Sequence, residues 1–77
     1  WAADFAWPEQ SVICEMHGGV WVGGRHTRGA GFIADRERMN WAALNGWIVI
    51  ETVPEHIKSG QAVDWLRQAL EGRGWNG

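Results

Sequence analysis

Residues 4–17 read DFAWPEQSVICEMH, and the way this stretch pairs with itself decides the fold. Residues 1–7 (WAADFAW) alternate loosely and carry aromatics, which predicts a strand. Pro8-Glu9-Gln10 breaks it, and residues 11–16 (SVICEM), β-branched and apolar, predict a second strand. A hairpin centred on Glu9-Gln10 sets Pro8 opposite Ser11, Ala6 opposite Ile13, Asp4 opposite Glu15 and Ala2 opposite His17. Glu-Gln is not a favoured two-residue turn; a four-residue loop keeps this register and a three-residue loop shifts it by one. Side chains alternate across a strand. Asp4, Glu15 and His17 therefore share one face, and Phe5, Trp7, Val12, Cys14 and Met16 form an apolar set on the other.

Outward from the hairpin, Gly18-Gly19 interrupts the second strand, and Val20-Trp21-Val22 continues it past a bulge. Residues 23–31 (GGRHTRGAG) read as a loop rich in glycine and basic side chains. Residues 32–45 (FIADRERMNWAALN) predict a helix: Phe32, Met39 and Ala43 share a face with Arg36, while Ile33, Trp41 and Leu44 widen the apolar side. Gly46 stops it. Residues 47–53 (WIVIETV) predict a buried strand, and a helix followed by such a strand implies a crossover to a parallel neighbour. Pro54 ends that strand. Residues 59–70 (SGQAVDWLRQAL) predict a closing helix capped by Ser59, with Ala62, Leu66 and Leu70 on one side. The tail GRGWNG reads as loose. The order β-β-(β)-α-β-α defines an α/β fold, a small mixed sheet flanked by helices, in a single domain over residues 1–77.

Size and composition narrow the classes. A chain of 77 residues builds a marginal core, and such domains lean on disulfides, a metal or a second chain. Cys14 is the only cysteine, which leaves a metal or an oligomer as the expected support and fits a reducing, cytoplasmic setting. No run of apolar residues reaches the length of a membrane span. The net charge of -2 does not by itself announce a nucleic-acid binder. Between Gly23 and Asn40, however, four arginines (Arg25, Arg28, Arg36, Arg38) stand against Asp35 and Glu37. Seven tryptophans suit either a small core filled by large side chains or an interface.

The chemistry centres on the hairpin. Opposed like charges destabilise a sheet, so two facing carboxylates either share a proton or hold a cation. A hard divalent ion such as Mg2+ takes carboxylate and carbonyl oxygens. The plain alternative is a solvated strand face. In the loop, Arg25, His26 and Arg28 lie among glycines that admit close backbone approach; arginine forks match phosphate oxygens, and His26 can move a proton near neutral pH. The plain alternative there is a basic surface loop. His56 reads as a surface residue, and Glu51 as an outward-pointing residue near its strand end, with membership of the carboxylate site as the other option.

The runs DFAWPEQSVICEMHGG, GGRHTRGAGF and ADRERMNWAALNGWIVIETVPE resemble small phage and bacterial PD-(D/E)XK nucleases, in the branch of very-short-patch repair and DUF559-like endonucleases. The family pattern places an aspartate on one strand, Glu-x-Asp-Gly or a variant on the next, a downstream histidine, then a helix and a strand opened by Gly-Trp. Asp4, Glu15-Met16-His17-Gly18, His26 and Gly46-Trp47 match it, over about Asp4 to Leu70. The resemblance implies a restriction-endonuclease-like core that cuts DNA with Mg2+ (or Mn2+) held by Asp4, Glu15 and the Met16 carbonyl. It implies catalytic roles for Asp4, Glu15, His17 and His26, with Asp35 or Arg36 orienting the loop. Two departures stand out: His17 occupies the position where many members carry lysine, and the chain is expected to lack the helix that ordinarily precedes the first strand, either through trimming or because the fold is unusually small.

The leading expectation is therefore a Mg2+-dependent DNA endonuclease, acting as a homodimer in the cytoplasm of a bacterial or phage-infected cell, with Arg25, Arg28 and Arg36 on DNA. The alternative is a catalytically inactive nuclease-fold module that binds DNA or protein. A third option, zinc on Glu15, His17 and His26, is disfavoured because structural zinc ordinarily takes more cysteine or histidine.

Overall fold

The computed structural model describes residues 3–18 and 29–77. Strands β1 (Phe5–Trp7), β2 (Val12–Met16) and β3 (Ile48–Thr52) and helices α1 (Ala30–Leu44), α2 (Pro54–Ser59) and α3 (Gln61–Glu71) make a small mixed α/β fold. The sheet order is β1-β2-β3, with β1 antiparallel and β3 parallel to β2. The expected continuation at 20–22 and the loop residues Arg25, His26 and Arg28 lie outside the described residues, as do Trp1 and Ala2.

The hairpin has the expected register: Phe5 pairs with Cys14, Ala6 with Ile13 and Trp7 with Val12. Its connection is the four-residue form, Pro8 to Ser11. The Gln10 N–H donates to the Trp7 carbonyl and the Ser11 N–H to the Pro8 carbonyl, each over 3.2 Å. Ser11 closes the loop in the left-handed region at φ 56°, which lets a loop without glycine return the chain in register.

The parallel crossover is also present. Val12 pairs with Ile48 and Met16 with Thr52, and α1 bridges β2 and β3. Helix α1 lies over the Glu15 face, to which it delivers Arg38. Helix α3 lies over the other face, where Val63, Leu66, Arg67 and Leu70 join Trp7 and Trp75 around an open cavity of about 190 Å³. Strand β2 is covered on both sides, so Val12, Ile13 and Cys14 are all buried despite alternating faces. A central strand under helices on both faces reads as a continuous apolar run for this reason.

Three local expectations change. Helix α1 begins at Ala30, two residues earlier than predicted, after Gly29 at φ 109°. The closing helix is present as α3, two residues later at its start than expected, and a short helix not expected from sequence, α2, precedes it. Pro54 occupies the first turn of α2, where a missing N–H costs nothing, and Gly60 at φ 85° turns the chain into α3. The N-cap is Gly60 and not the expected Ser59, which ends the preceding helix and accepts the Gln61 N–H over 3.2 Å from there. His56 is half-buried: its Nδ1 accepts the Val53 N–H over 3.1 Å, and its ring meets Trp65 edge-on at 4.8 Å.

The tail is not loose. Arg73 Nη1 donates to the carbonyls of Gln10 (3.1 Å) and Gly46 (2.9 Å), and Trp75 folds back through its N–H to the Leu70 carbonyl. Among the described residues, no helix is long and apolar enough to cross a membrane.

Candidate functional site

Strands β2 and β3 run parallel and end together, so their carboxyl ends bring Glu15 beside Glu51. Thr52, 1% exposed, fixes this corner. Its hydroxyl donates to the Glu15 carbonyl over 3.1 Å, and its own carbonyl accepts the His17 N–H over 2.7 Å. These bonds carry the pairing to His17, one residue past the end of β2.

Glu15 is 8% exposed, a burial that an ionised carboxylate tolerates only with paired charge or hydrogen bonds. Arg38 supplies one such partner from α1. Its Nη2 lies 3.3 Å from Glu15 Oε1 and 3.1 Å from Asp35 Oδ1. Asp35 and Arg38 are three apart on the helix and so are neighbours on its surface. At the rim, His17 Nε2 lies 3.1 Å from Glu51 Oε1, with both side chains about half exposed. Asp4, exposed just before β1, is held by the neighbouring strand: its Oδ2 accepts the Met16 N–H over 2.7 Å.

Asp4, Glu15 and His17 thus lie at the same end of the sheet, but the paired register ends at Phe5–Cys14, one step short of the expected Asp4–Glu15 pair, and Asp4 contacts the Met16 main chain. Glu51 is exposed as expected, yet it belongs to the same corner through His17. Arg38 was counted in sequence only as part of a basic stretch. Arg36 is on another face of α1, its guanidinium 4.7 Å from the centroid of the Phe32 ring. His26, Arg25 and Arg28 fall outside the described residues. Reading the parallel register would have found Glu51; nothing in helical periodicity singles out Arg38 over Arg36.

Beneath this corner, on the opposite face of β2, Cys14 has its thiol pKa raised. Burial is the main cause, a hydrogen bond with Thr52 partly opposes it, and the nearby carboxylates of Asp4 and Glu15 add to it.

The fit to a metal can be stated from these contacts. The oxygen donors are of the right chemistry for a hard divalent cation. Among the described residues, however, no three His, Cys, Asp or Glu side chains stand together as a group able to hold a metal ion. Asp4 is turned to the backbone, Glu15 to Arg38 and Glu51 to His17. No family model, curated protein or solved structure matches the chain.

Proposed function

We propose that the chain carries the core of a PD-(D/E)XK-type, Mg2+-dependent endonuclease that hydrolyses phosphodiester bonds in DNA. One observation carries this reading most: Glu15, His17 and Glu51 gather at the carboxyl ends of a parallel strand pair, with Asp4 just before the adjoining strand. Ligands of open α/β sheets bind outside the carboxyl ends of their strands. Asp4, Glu15 and the Met16 carbonyl would hold Mg2+, or Mn2+ in its place. The chemistry such an ion supplies when bound is polarisation of a phosphoryl oxygen and a lowered pKa for water.

The chain's own residues have separate tasks. His17, half exposed beside Glu51, exchanges protons with solvent at the corner where the reacting phosphate would lie. His26 is the second proton carrier, and Arg25, Arg28 and Arg36 contact phosphates. Double-strand cutting by so small a core calls for a homodimer. The outer side of α1 suits one, since Ile33 (57% exposed) and Leu44 (86%) lie there away from the sheet. The cytoplasm of a bacterial or phage-infected cell is the corresponding setting.

The test is cleavage of plasmid and of a synthetic four-way junction with Mg2+, Mn2+ or EDTA, beside Asp4→Ala. Metal-dependent cutting that disappears in the variant is expected. A specific observation favours a second reading, a catalytically inactive nuclease-fold module binding DNA or protein: each of the three carboxylates already has a protein donor. Intact DNA under every condition, with DNA affinity unaffected by EDTA, would favour it.

A further inference from the structure

We propose that the cavity beside α3 is a binding site for a small aromatic acid, which sets its ring against Trp7 and Trp75 and its carboxylate on Arg67. The site lies on the sheet face away from Glu15 and is independent of the endonuclease reading.

Three separate parts of the chain build its walls. Trp7 ends β1, Val63, Leu66, Arg67 and Leu70 come from α3, and Trp75 comes from the tail. The way α3 ends places Trp75. Gly74 takes the left-handed region at φ 89°, its N–H donates to the Glu71 carbonyl over 3.2 Å, and the Trp75 N–H donates to the Leu70 carbonyl over 3.0 Å. These are the paired bonds of a Schellman closure, which sets the residue after the glycine against the last turn of the helix. Trp7 is placed by its ladder pairing with Val12. Arg73 ties the two walls together, since its Nη1 donates to the Gln10 carbonyl in the turn that follows Trp7. The cavity is therefore shaped before anything enters it, and a ligand has little ordering left to supply.

Size and charge select the occupant. An apolar cavity of about 150 Å³ takes one benzene ring. This one, at about 190 Å³, has room for one ring and a short substituent. Arg67 is the only charged residue of the lining. It is exposed, so its stem covers the wall while its head stays in water at the open mouth. Asp64 and Glu71 stand three residues before it and four after it, spacings at which helical ion pairs form. Arg67 nevertheless pairs with neither, nor with any other carboxylate. All nine Asp and Glu of the chain are among the described residues, so the fold itself holds no carboxylate for this guanidinium. An anion at the mouth supplies one. The net charge of -2 acts in the opposite sense: general attraction favours a cation, so a preference for an acid is local to Arg67.

The test is titration of the isotope-labelled chain with phenylacetate, phenylacetamide and phenethylammonium, followed through its assigned tryptophan Nε1–H resonances. Phenylacetate is expected to shift Trp7 and Trp75 and to leave Trp41, on α1, in place. Its expected Kd is about 1 mM or tighter, as suits a ligand of about ten non-hydrogen atoms. The amide is expected to bind about two- to fivefold more weakly, and the amine more weakly still. Arg67→Met, at an exposed position, is expected to weaken phenylacetate by the same factor and to leave the amide unchanged. Lys58→Met removes the same charge from α2 and is expected to change neither.

No shift of Trp7 and Trp75 at about ten times that concentration overturns the proposal. Equal affinity for acid and amide overturns it too, as does equal weakening by Arg67→Met and Lys58→Met. Shifts of Trp7 and Trp75 that follow the concentration of the chain itself also overturn it, because the cavity is then closed by a second copy. DNA cleavage enters none of these readouts, so failure here and failure of the endonuclease reading are separate results.

Discussion

The carboxylate of Asp4 accepts the main-chain N–H of Met16 over 2.7 Å, closing the open end of the hairpin where β1 has already stopped. This gives Asp4 a structural task beside the chemical one proposed for it, and two substitutions separate them. Asparagine retains an acceptor at the same reach but carries no charge; alanine has neither. Because the residue is exposed, water can replace the lost bond in part, so Asp4→Ala is expected to destabilise the fold by about 1 kcal/mol and Asp4→Asn by only a few tenths. On the proposed nuclease reading both are expected to lose DNA cleavage, since cation binding by Asp4 would need the charge. Urea unfolding reads the first comparison, and equal stabilities for the two variants would refute the anchoring role.

Arg73 ties the C-terminal tail to two turns at once, through the Gln10 and Gly46 carbonyls. One of those turns closes the β1–β2 hairpin and the other leads from α1 into β3, so the contact braces both connections where β2 and β3 begin side by side. Arg73→Ala returns both carbonyls to water and leaves nothing buried unpaired, which places the expected cost at the lower end for charge-assisted bonds, about 1 kcal/mol. Arg73→Lys is expected to recover part of it, since both bonds come from the one nitrogen Nη1 and an ammonium can donate to two carbonyls, though without the fixed guanidinium plane. A denaturation midpoint for Arg73→Ala equal to that of the unaltered chain would show the bridge to be idle.

What could be read from sequence, and what could not, follows from the range of the interactions. The hairpin register was legible because Pro8 to Gln10 mark the turn locally, and parity then carries Phe5 to Cys14. The parallel partner was legible because a helix between strands leaves the second strand no shorter way back. Arg73 was not, because its acceptors lie 63 and 27 residues away and are ordinary carbonyls with no sequence mark. Arg38 was missed for a related reason. The apolar residues of α1 are spread around its circumference, so periodicity does not tell which side meets the sheet. The break at Gly60 had a signal, a proline opening one helix and a glycine closing it, but Pro54 was taken only as the end of a strand.

Gly60 and Gly31 make opposite demands on the same substitution. A Cβ would meet nothing within 4 Å at either position, so any effect of alanine comes from the backbone alone. Gly60 sits at φ 85° between α2 and α3, where an L side chain costs about 1–2 kcal/mol. Gly31 lies in the first turn of α1, where alanine restricts the unfolded chain and favours the helix by up to about 1 kcal/mol. Gly60→Ala is therefore expected to lower the melting temperature and Gly31→Ala to raise it. A shift of the same sign in both would contradict the assigned backbone conformations.

Cys14 gives the fold a dependence on alkaline pH. Its thiol pKa is raised in the folded chain, chiefly by burial, with Asp4 and Glu15 adding to the shift. A raised pKa means that the folded state holds the proton more tightly than the unfolded one. The stability this contributes is complete below the unfolded thiol value, ~8.5, and is lost as pH rises through the folded one. The chain has no tyrosine, and its single lysine is Lys58, so few other side chains titrate in that window. Thermal unfolding is thus expected to fall progressively above about pH 8.5 in the unaltered chain. Cys14→Ala should be less stable at neutral pH, because it removes a buried side chain, but flatter across the alkaline range. The decisive quantity is the difference between the two melting curves as a function of pH. A constant difference from pH 7 to pH 10 would show that the thiol ionises as freely inside the fold as outside it.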